Sequence, residues 1–135
     1  MRVMLDTNVM LSAVIFRSQS MWKMMNWILQ NHRLVLSSYV MDECYEVVKR
    51  KKPSLISALD RLFEGISFEM VHTPQTLPKH GWFTIRDKDD EKVLYSAILA
   101  DVDVLITGDK DFCDIDIEKP EILTPRQFTE QYMGI

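Results

Sequence analysis

Arg2-Val3-Met4-Leu5-Asp6-Thr7-Asn8-Val9 decides how this chain folds. A short β-prone run ends on a carboxylate, and the next apolar stretch, Val9 to Phe16, stops at the polar Arg17-Ser18-Gln19-Ser20, an order of strand, short helix and break. The same order recurs downstream. Met21, Trp22, Met25, Ile28 and Leu29 share one helical face, and Leu34-Val35-Leu36 is a second strand. Ser37 and Ser38 are caps for a helix carrying Val40, Met41, Cys44, Val47 and Val48 at helical spacing, which Pro53 stops or kinks. A further helix over 54–64 ends at Gly65, where positive φ is tolerated, and a strand follows over 66–71. His72 to Arg86 contains two prolines and a glycine without a clear period and reads as a long loop. A helix resumes at Lys88 with Val93, Leu94, Ala97 and Ile98 on one face, then the strand Val104-Leu105-Ile106. Ile122-Leu123 is the last strand, and Thr124-Pro125-Arg126-Gln127 sets an N-cap threonine before a first-turn proline, with glutamine three residues after the cap. Short apolar strands alternating with helices predict an α/β fold: a three-layer sandwich with a mostly parallel central sheet of about five strands. No repeat or linker divides it, so residues 1–135 form a single domain.

Composition narrows the possible functions. Leu, Ile, Val and Phe make up about 30 % of the 135 residues, above the level below which chains stay disordered. The net charge of −4 supplies no overall positive field to hold nucleic acid, so any such contact is local. No apolar run approaches the roughly 20 residues that span a bilayer. Met1-Arg2-Val3-Met4 leads straight into strand-like sequence without a basic leader or apolar signal region, which makes the cytoplasm the expected location. Cys44 and Cys113 are isolated and read as free thiols.

In open parallel sheets the ligand crevice lies beyond the carboxyl ends of the strands, and here those positions are acidic. Asp6 follows the first strand, and Asp109 closes Val104–Ile106 in Thr107-Gly108-Asp109-Lys110-Asp111-Phe112. Asp87 and Asp90 open the helix that precedes that strand. On the helix after the second strand, Asp42 and Glu46 lie roughly 160° from the centre of the apolar stripe, whereas Glu43 lies about 100° away, at its edge. Four elements can thus deliver Asp6, Glu43, Asp90 and Asp109 to one edge. Two unit charges about 4 Å apart repel by roughly 4 kcal/mol at an effective dielectric near 20, so the gathering requires a cation. All-oxygen ligands without histidine or thiolate select Mg²⁺ or Mn²⁺. The matching chemistry is phosphodiester hydrolysis.

Each acid also has an ordinary structural reading. Asp87 is a natural N-cap with Asp90 in the first turn, Glu43 alone is a helix-surface glutamate, and Asp109 with Asp111 makes a turn. Asp6 is harder to explain this way, because a carboxylate ending a buried strand needs a partner.

Asp6-Thr7-Asn8-Val9, the isolated Glu43, Asp87-x-x-Asp90 opening a helix with Leu94 and Ala97, and Thr107-Gly108-Asp109-Lys110-Asp111-Phe112 together resemble the PIN-domain nucleases. The resemblance covers essentially the whole chain and is nearest to toxin ribonucleases of bacterial and archaeal toxin–antitoxin pairs. It implies a Mg²⁺- or Mn²⁺-dependent endoribonuclease whose metal-binding and catalytic acids are Asp6, Glu43, Asp90 and Asp109. Asn8 and Thr107 would be polar supports, with Asp87 and Asp111 nearby. An RNA substrate, an antitoxin protein partner and a homodimer are further implications. Glu91 adjoins Asp90, and a shift of one residue would exchange them.

Arg86, Lys88, Lys92 and Lys110 bracket the acids and are candidates for placing a phosphate, while Lys49-Arg50-Lys51-Lys52 reads as a solvated last turn complementing the helix dipole. Trp27 lies roughly 160° from its helix's apolar stripe, either as part of a partner surface or beneath the 54–64 helix. Trp82 and Phe83 could stack on bases or pack in the core. His32, His72 and His80 have no ligand spacing, and the nine methionines read as core filler. Two other functions compete with the nuclease: a catalytically silent PIN-like module that binds RNA or protein, and a phospho-acceptor receiver domain. The receiver would need an acidic pair after the first strand, which this chain lacks.

Overall fold

The computed structural model describes residues 1–75, 88–112 and 115–134, with the side chains of Lys88 and Asp111 outside that description. The predicted sheet is present. β1 (Arg2–Leu5), β2 (Arg33–Ser37), β3 (Phe68–Val71), β4 (Val104–Ile106) and β5 (Glu121–Leu123) form one sheet in the order β3-β2-β1-β4-β5. All four pairings are parallel, with Val3 opposite both Leu34 and Val104.

Val3–Leu5, Leu34–Leu36 and Val104–Ile106 are all at most 1 % exposed. Neighbouring strand residues point to opposite faces, so both faces of the central strands are covered, which gives three layers. The covering helices are α1 (Thr7–Val14), α2 (Gln19–Asn31), α3 (Ser38–Lys51), α4 (Ile56–Gly65), α5 (Lys88–Leu99) and the short α6 (Pro125–Phe128). Several starts have a local cause. Ser18 caps α2, Ser37 caps α3 by accepting from the Val40 N–H at 3.2 Å, and Thr124 with Gln127 forms a complete capping box on α6. Among the described residues no helix is long and apolar enough to cross a membrane.

The order of the strands creates a crevice. From β1 the chain moves outward to β2 and β3, then returns to the other side of β1 for β4 and β5. The strand order therefore reverses between β1 and β4, and the cleft opens beyond their carboxyl ends.

Three local expectations change. Gly65 is the last residue of α4 and does not take positive φ; the helix leaves through Ile66 in extended conformation. That helix begins at Ile56, because Pro53–Leu55 forms a separate 3-10 turn. The buried face of α2 is Met24, Met25 and Ile28, while Trp22 is 41 % exposed. Trp27 is half-buried, with α6 against its ring. Its ring meets Phe128 edge-on at 5.9 Å and His32 at 5.0 Å. The long loop lies largely outside the described residues, as do Trp82, Phe83 and Cys113; Cys44 is a buried free thiol.

Candidate active site

Asp6 occupies the joint between β1 and α1. Its main-chain N–H donates to the Ile106 carbonyl at 3.1 Å, which continues the β1–β4 ladder by one residue. Its side chain then caps α1, Oδ1 accepting from the Val9 N–H at 2.9 Å. The other oxygen, Oδ2, accepts a hydrogen bond from the Thr107 hydroxyl. Thr107 is 2 % exposed and also accepts from the Asp109 N–H at 3.1 Å. A chain of hydrogen bonds thus runs from the Asp109 backbone through Thr107 to Asp6, across the point where the strand order reverses.

Burial raises the Asp6 carboxyl above the usual carboxylate range. The hydrogen bonds from Thr107 and Val9 oppose this, while repulsion from Asp109 and Glu43 adds to it. Three acids from three separate elements are therefore electrostatically coupled. Cys44 gives the same picture from beneath α3: its thiol is pushed up to about 12 by burial, then by Glu43 and Asp6.

Glu43 is half-buried on α3, as its angular position predicts, with Asp42 and Glu46 exposed. Its Oε2 accepts from the Tyr39 hydroxyl at 2.5 Å, one helical turn earlier. Tyr39 is packed between charges. Lys92 lies over its ring at 5.0 Å and pairs with Asp89 at 3.5 Å. Burial, then Glu43, then Asp89 drive the Tyr39 phenol far upward, so it remains a donor. Thr73 fixes this corner. Its hydroxyl accepts from the Tyr39 N–H at 3.1 Å and from the Ser96 hydroxyl at 3.1 Å, while its own N–H donates to Ser38 Oγ at 2.9 Å. The N-terminus of α3, the exit of β3 and the middle of α5 are tied together at this one side chain.

Asp90 is half-buried in the first turn of α5, as is Glu91, while Asp89 is exposed. Asp109 is half-buried, Lys110 and Asn8 are exposed, and Lys92 is engaged with Tyr39 and Asp89. Asn8 makes no side-chain hydrogen bond to a described residue; its neighbour Thr7 is buried, with an Oγ1 that has no hydrogen-bond partner among the described residues. Arg86 and Asp87 lie outside the described residues, and so do the side chains of Lys88 and Asp111. Lys49 to Lys52 are all exposed at the end of α3. Tyr39, Thr73 and Asp89 are site neighbours that sequence reasoning missed. The Tyr39–Glu43 spacing of four was a visible signal; the links to Thr73 and Asp89 exist only in three dimensions.

Among the described residues no three His, Cys, Asp or Glu side chains stand close enough to enclose a metal ion as placed. The donor chemistry nevertheless fits a hard divalent cation. The coupled groups are all carboxylates, their mutual repulsion at Asp6 is what a cation relieves, and no described histidine or reactive thiolate competes.

A parallel α/β sheet whose switch point joins Asp6 to Asp109 through Thr107 places carboxylates where such sheets bind their ligands. The chain belongs to the PIN-domain family, whose model matches residues 2–111, a span that includes Asp6, Glu43, Asp90 and Asp109. PIN domains are nucleases. The fold is also similar to a chain of the crystal structure of VapBC2 from Rickettsia felis bound to a DNA fragment from their promoter. That similarity has a TM-score of 0.68 and 21 % identity, and covers 91 % of this chain and 97 % of the other. No curated protein matches the sequence significantly.

Proposed function

We propose that this protein is a Mg²⁺- or Mn²⁺-dependent endoribonuclease, with Asp6, Glu43, Asp90 and Asp109 as its metal-holding and catalytic acids. The observation that carries this is the Thr107 hydroxyl joining the Asp6 carboxylate to the Asp109 main chain at the switch point of the sheet, with Glu43 adding to the repulsion on Asp6. Bound there, the cation would activate water and neutralise charge on the phosphate. The residues of the chain do the rest. Val9 and Thr107 lock the Asp6 carboxylate in one orientation, Tyr39 does the same for Glu43, and Thr73 holds Tyr39 and α5 in register. Lys110, exposed beside Asp109, and Lys92 are the described cations suited to a phosphate; Arg86 and Lys88 extend the same role.

An antitoxin partner, a cytoplasmic setting and a homodimer belong to the same proposal. The likeness to a VapBC2 chain supports the antitoxin, and the exposed aromatic surface of Phe16 and Trp22 suits a protein partner. Membership of the PIN family leaves no support for a phospho-acceptor receiver. A silent binding module is the second reading, favoured by the absence of a closed acid cluster among the described residues.

Cleavage of a panel of labelled single-stranded and structured RNAs separates the two. Purified wild-type protein is assayed with Mg²⁺, with Mn²⁺ and with chelator, beside Asp6→Asn and Asp90→Asn prepared identically. Cutting that needs metal and is lost in both variants is expected. Equal cutting by all three proteins, or RNA binding without any cutting, rejects the proposal.

A further inference from the structure

A cavity of about 410 Å³ opens between the end of β4 and β5, and Thr107 and Asp109 of the acid site form part of its lining. That volume lies in the range of small-ligand pockets. Phe112, Ile115 and Ile122 supply apolar walls suited to a flat ring. The charged part of the lining is acidic, with Glu118 and Glu121 joining Asp109. Away from Asp109, Glu118 and Glu121 repel a phosphate, so the part of a nucleic acid that enters here is a neutral base and not the backbone.

The polar groups narrow the choice of base. Glu121 is occupied, accepting from Gln131 Nε2 at 3.1 Å and from the Tyr132 hydroxyl at 2.6 Å. The Gln127 side-chain oxygen Oε1 is taken by the Thr124 N–H at 2.9 Å in the capping box. Glu118 lines the cavity and pairs with no described side chain. A carboxylate only accepts hydrogen bonds, through two oxygens side by side. Guanine alone among the RNA bases presents two adjacent donors, N1–H and N2–H, on one edge. Uracil offers one donor flanked by acceptors, and in adenine and cytosine the amino group sits beside an acceptor nitrogen.

We propose that this cavity is a base subsite that takes the guanine of a nucleotide next to the scissile phosphate, with Glu118 reading its Watson–Crick edge. The assignment of a scissile phosphate rests on the nuclease proposal, whereas guanine binding does not.

The test therefore uses two readouts. Guanosine and uridine, which carry no phosphate, are titrated up to millimolar concentration into metal-free protein and followed by amide chemical shifts. The same proteins then cut RNAs that differ only in the base beside one site. Wild type is expected to bind guanosine about ten-fold more tightly than uridine and to cut beside guanine. Glu118→Gln, at an exposed position, should lose about ten-fold of guanosine affinity and most of the base preference, and Ile122→Trp, which fills the cavity, should lose both. If Ile122→Trp does not fold, Glu118→Gln decides alone. Cutting by wild type without guanosine discrimination, or unchanged discrimination in Glu118→Gln, overturns the subsite and leaves the nuclease intact. Guanosine binding that is lost in Glu118→Gln, in a protein that cuts no RNA, supports the base site and rejects the nuclease instead.

Discussion

The Thr107 hydroxyl donates to the Asp6 carboxylate across 101 residues of sequence, joining the ends of two adjacent parallel strands. The same oxygen accepts from the Asp109 N–H, so one buried hydroxyl sets the relative positions of two acids. Thr107→Val preserves the shape but leaves a buried carboxylate oxygen and an N–H without that partner. A stability loss of about 1–3 kcal/mol is expected from urea unfolding, with RNA cleavage reduced at least ten-fold. Thr107→Ser keeps the hydroxyl and should retain most activity. Retained stability and activity in Thr107→Val, with loss in Thr107→Ser, would show that the methyl, and not the hydrogen bonds, holds the site.

Asp6 should make the protein less stable at neutral pH than it would otherwise be. Its folded pKa is raised from 3.8, so the folded state binds the proton more tightly than the unfolded chain. Stability from this group is fully present below pH 3.8 and is lost as pH rises through the folded pKa. Asp6→Asn removes that loss, along with the repulsion by Asp109 and Glu43. The variant is expected to melt at or above the wild-type temperature at pH 7, with the advantage vanishing near pH 3.5. Cleavage should nevertheless fall by about two orders of magnitude or more. A variant that melts lower at pH 7 but matches wild type in acid would reverse the sign.

At the opposite end of the sheet the sign is inverted. Arg2 donates through Nη2 to Glu69 at 2.7 Å, and its main-chain N–H donates to Asp103 at 2.8 Å; these contacts hold both carboxyls below their ordinary values. Their stabilisation is present above pH 4.5 and 3.8 respectively, and is lost as pH falls through the lower folded values. Arg2→Met removes the Glu69 contact and the Nη1 bonds to the Ala100 and Asp101 carbonyls, and leaves the backbone bond to Asp103. Stability should drop by less than about 1 kcal/mol at pH 7, since the pair is partly exposed and screened. The difference from wild type should shrink below pH 4, as read by denaturant midpoints across pH.

Phe128 is fully buried between Trp27 and Tyr132, with ring centroids at 5.9 and 5.1 Å. Phe128→Ala is expected to cost about 3–5 kcal/mol, a large share of the stability of a domain this size. Removing that cover exposes Trp27, so its fluorescence should shift to the red in the folded variant. An unshifted spectrum would mean that α6 is not what covers Trp27.

The strands were legible because each central strand is buried on both faces, which leaves uninterrupted apolar runs such as Val104-Leu105-Ile106 between polar punctuation. The caps at Ser37 and Thr124 were legible because capping is local chemistry. Asp6 and Asp109 were singled out by topology alone: a carboxylate after a buried parallel strand lands at the crevice. The orientation of α2 was not legible. A helical wheel assigns faces from apolar content, and Trp22, Trp27 and the methionines make several faces of α2 apolar, so tertiary packing, against α1 and β2 and at Trp27 against Phe128, decides which one is buried. Tyr39, Thr73 and Asp89 were missed for a related reason. Their contacts join α3, β3 and α5, and no sequence spacing connects Thr73 to Ser96 or Asp89 to Tyr39. Asn8, an expectation of the family resemblance, is exposed beside the buried Thr7.

Titration of Mn²⁺ into metal-free protein by calorimetry shows whether Asp6, Glu43 and Asp109 act as one cation-holding unit. Asp6→Asn, Glu43→Gln and Asp109→Asn are measured beside wild type, with circular dichroism to verify folding. A saturable site in wild type that weakens at least ten-fold in each of the three variants is the predicted result. Binding that survives in all three, or no binding to wild type at millimolar Mn²⁺, would contradict it.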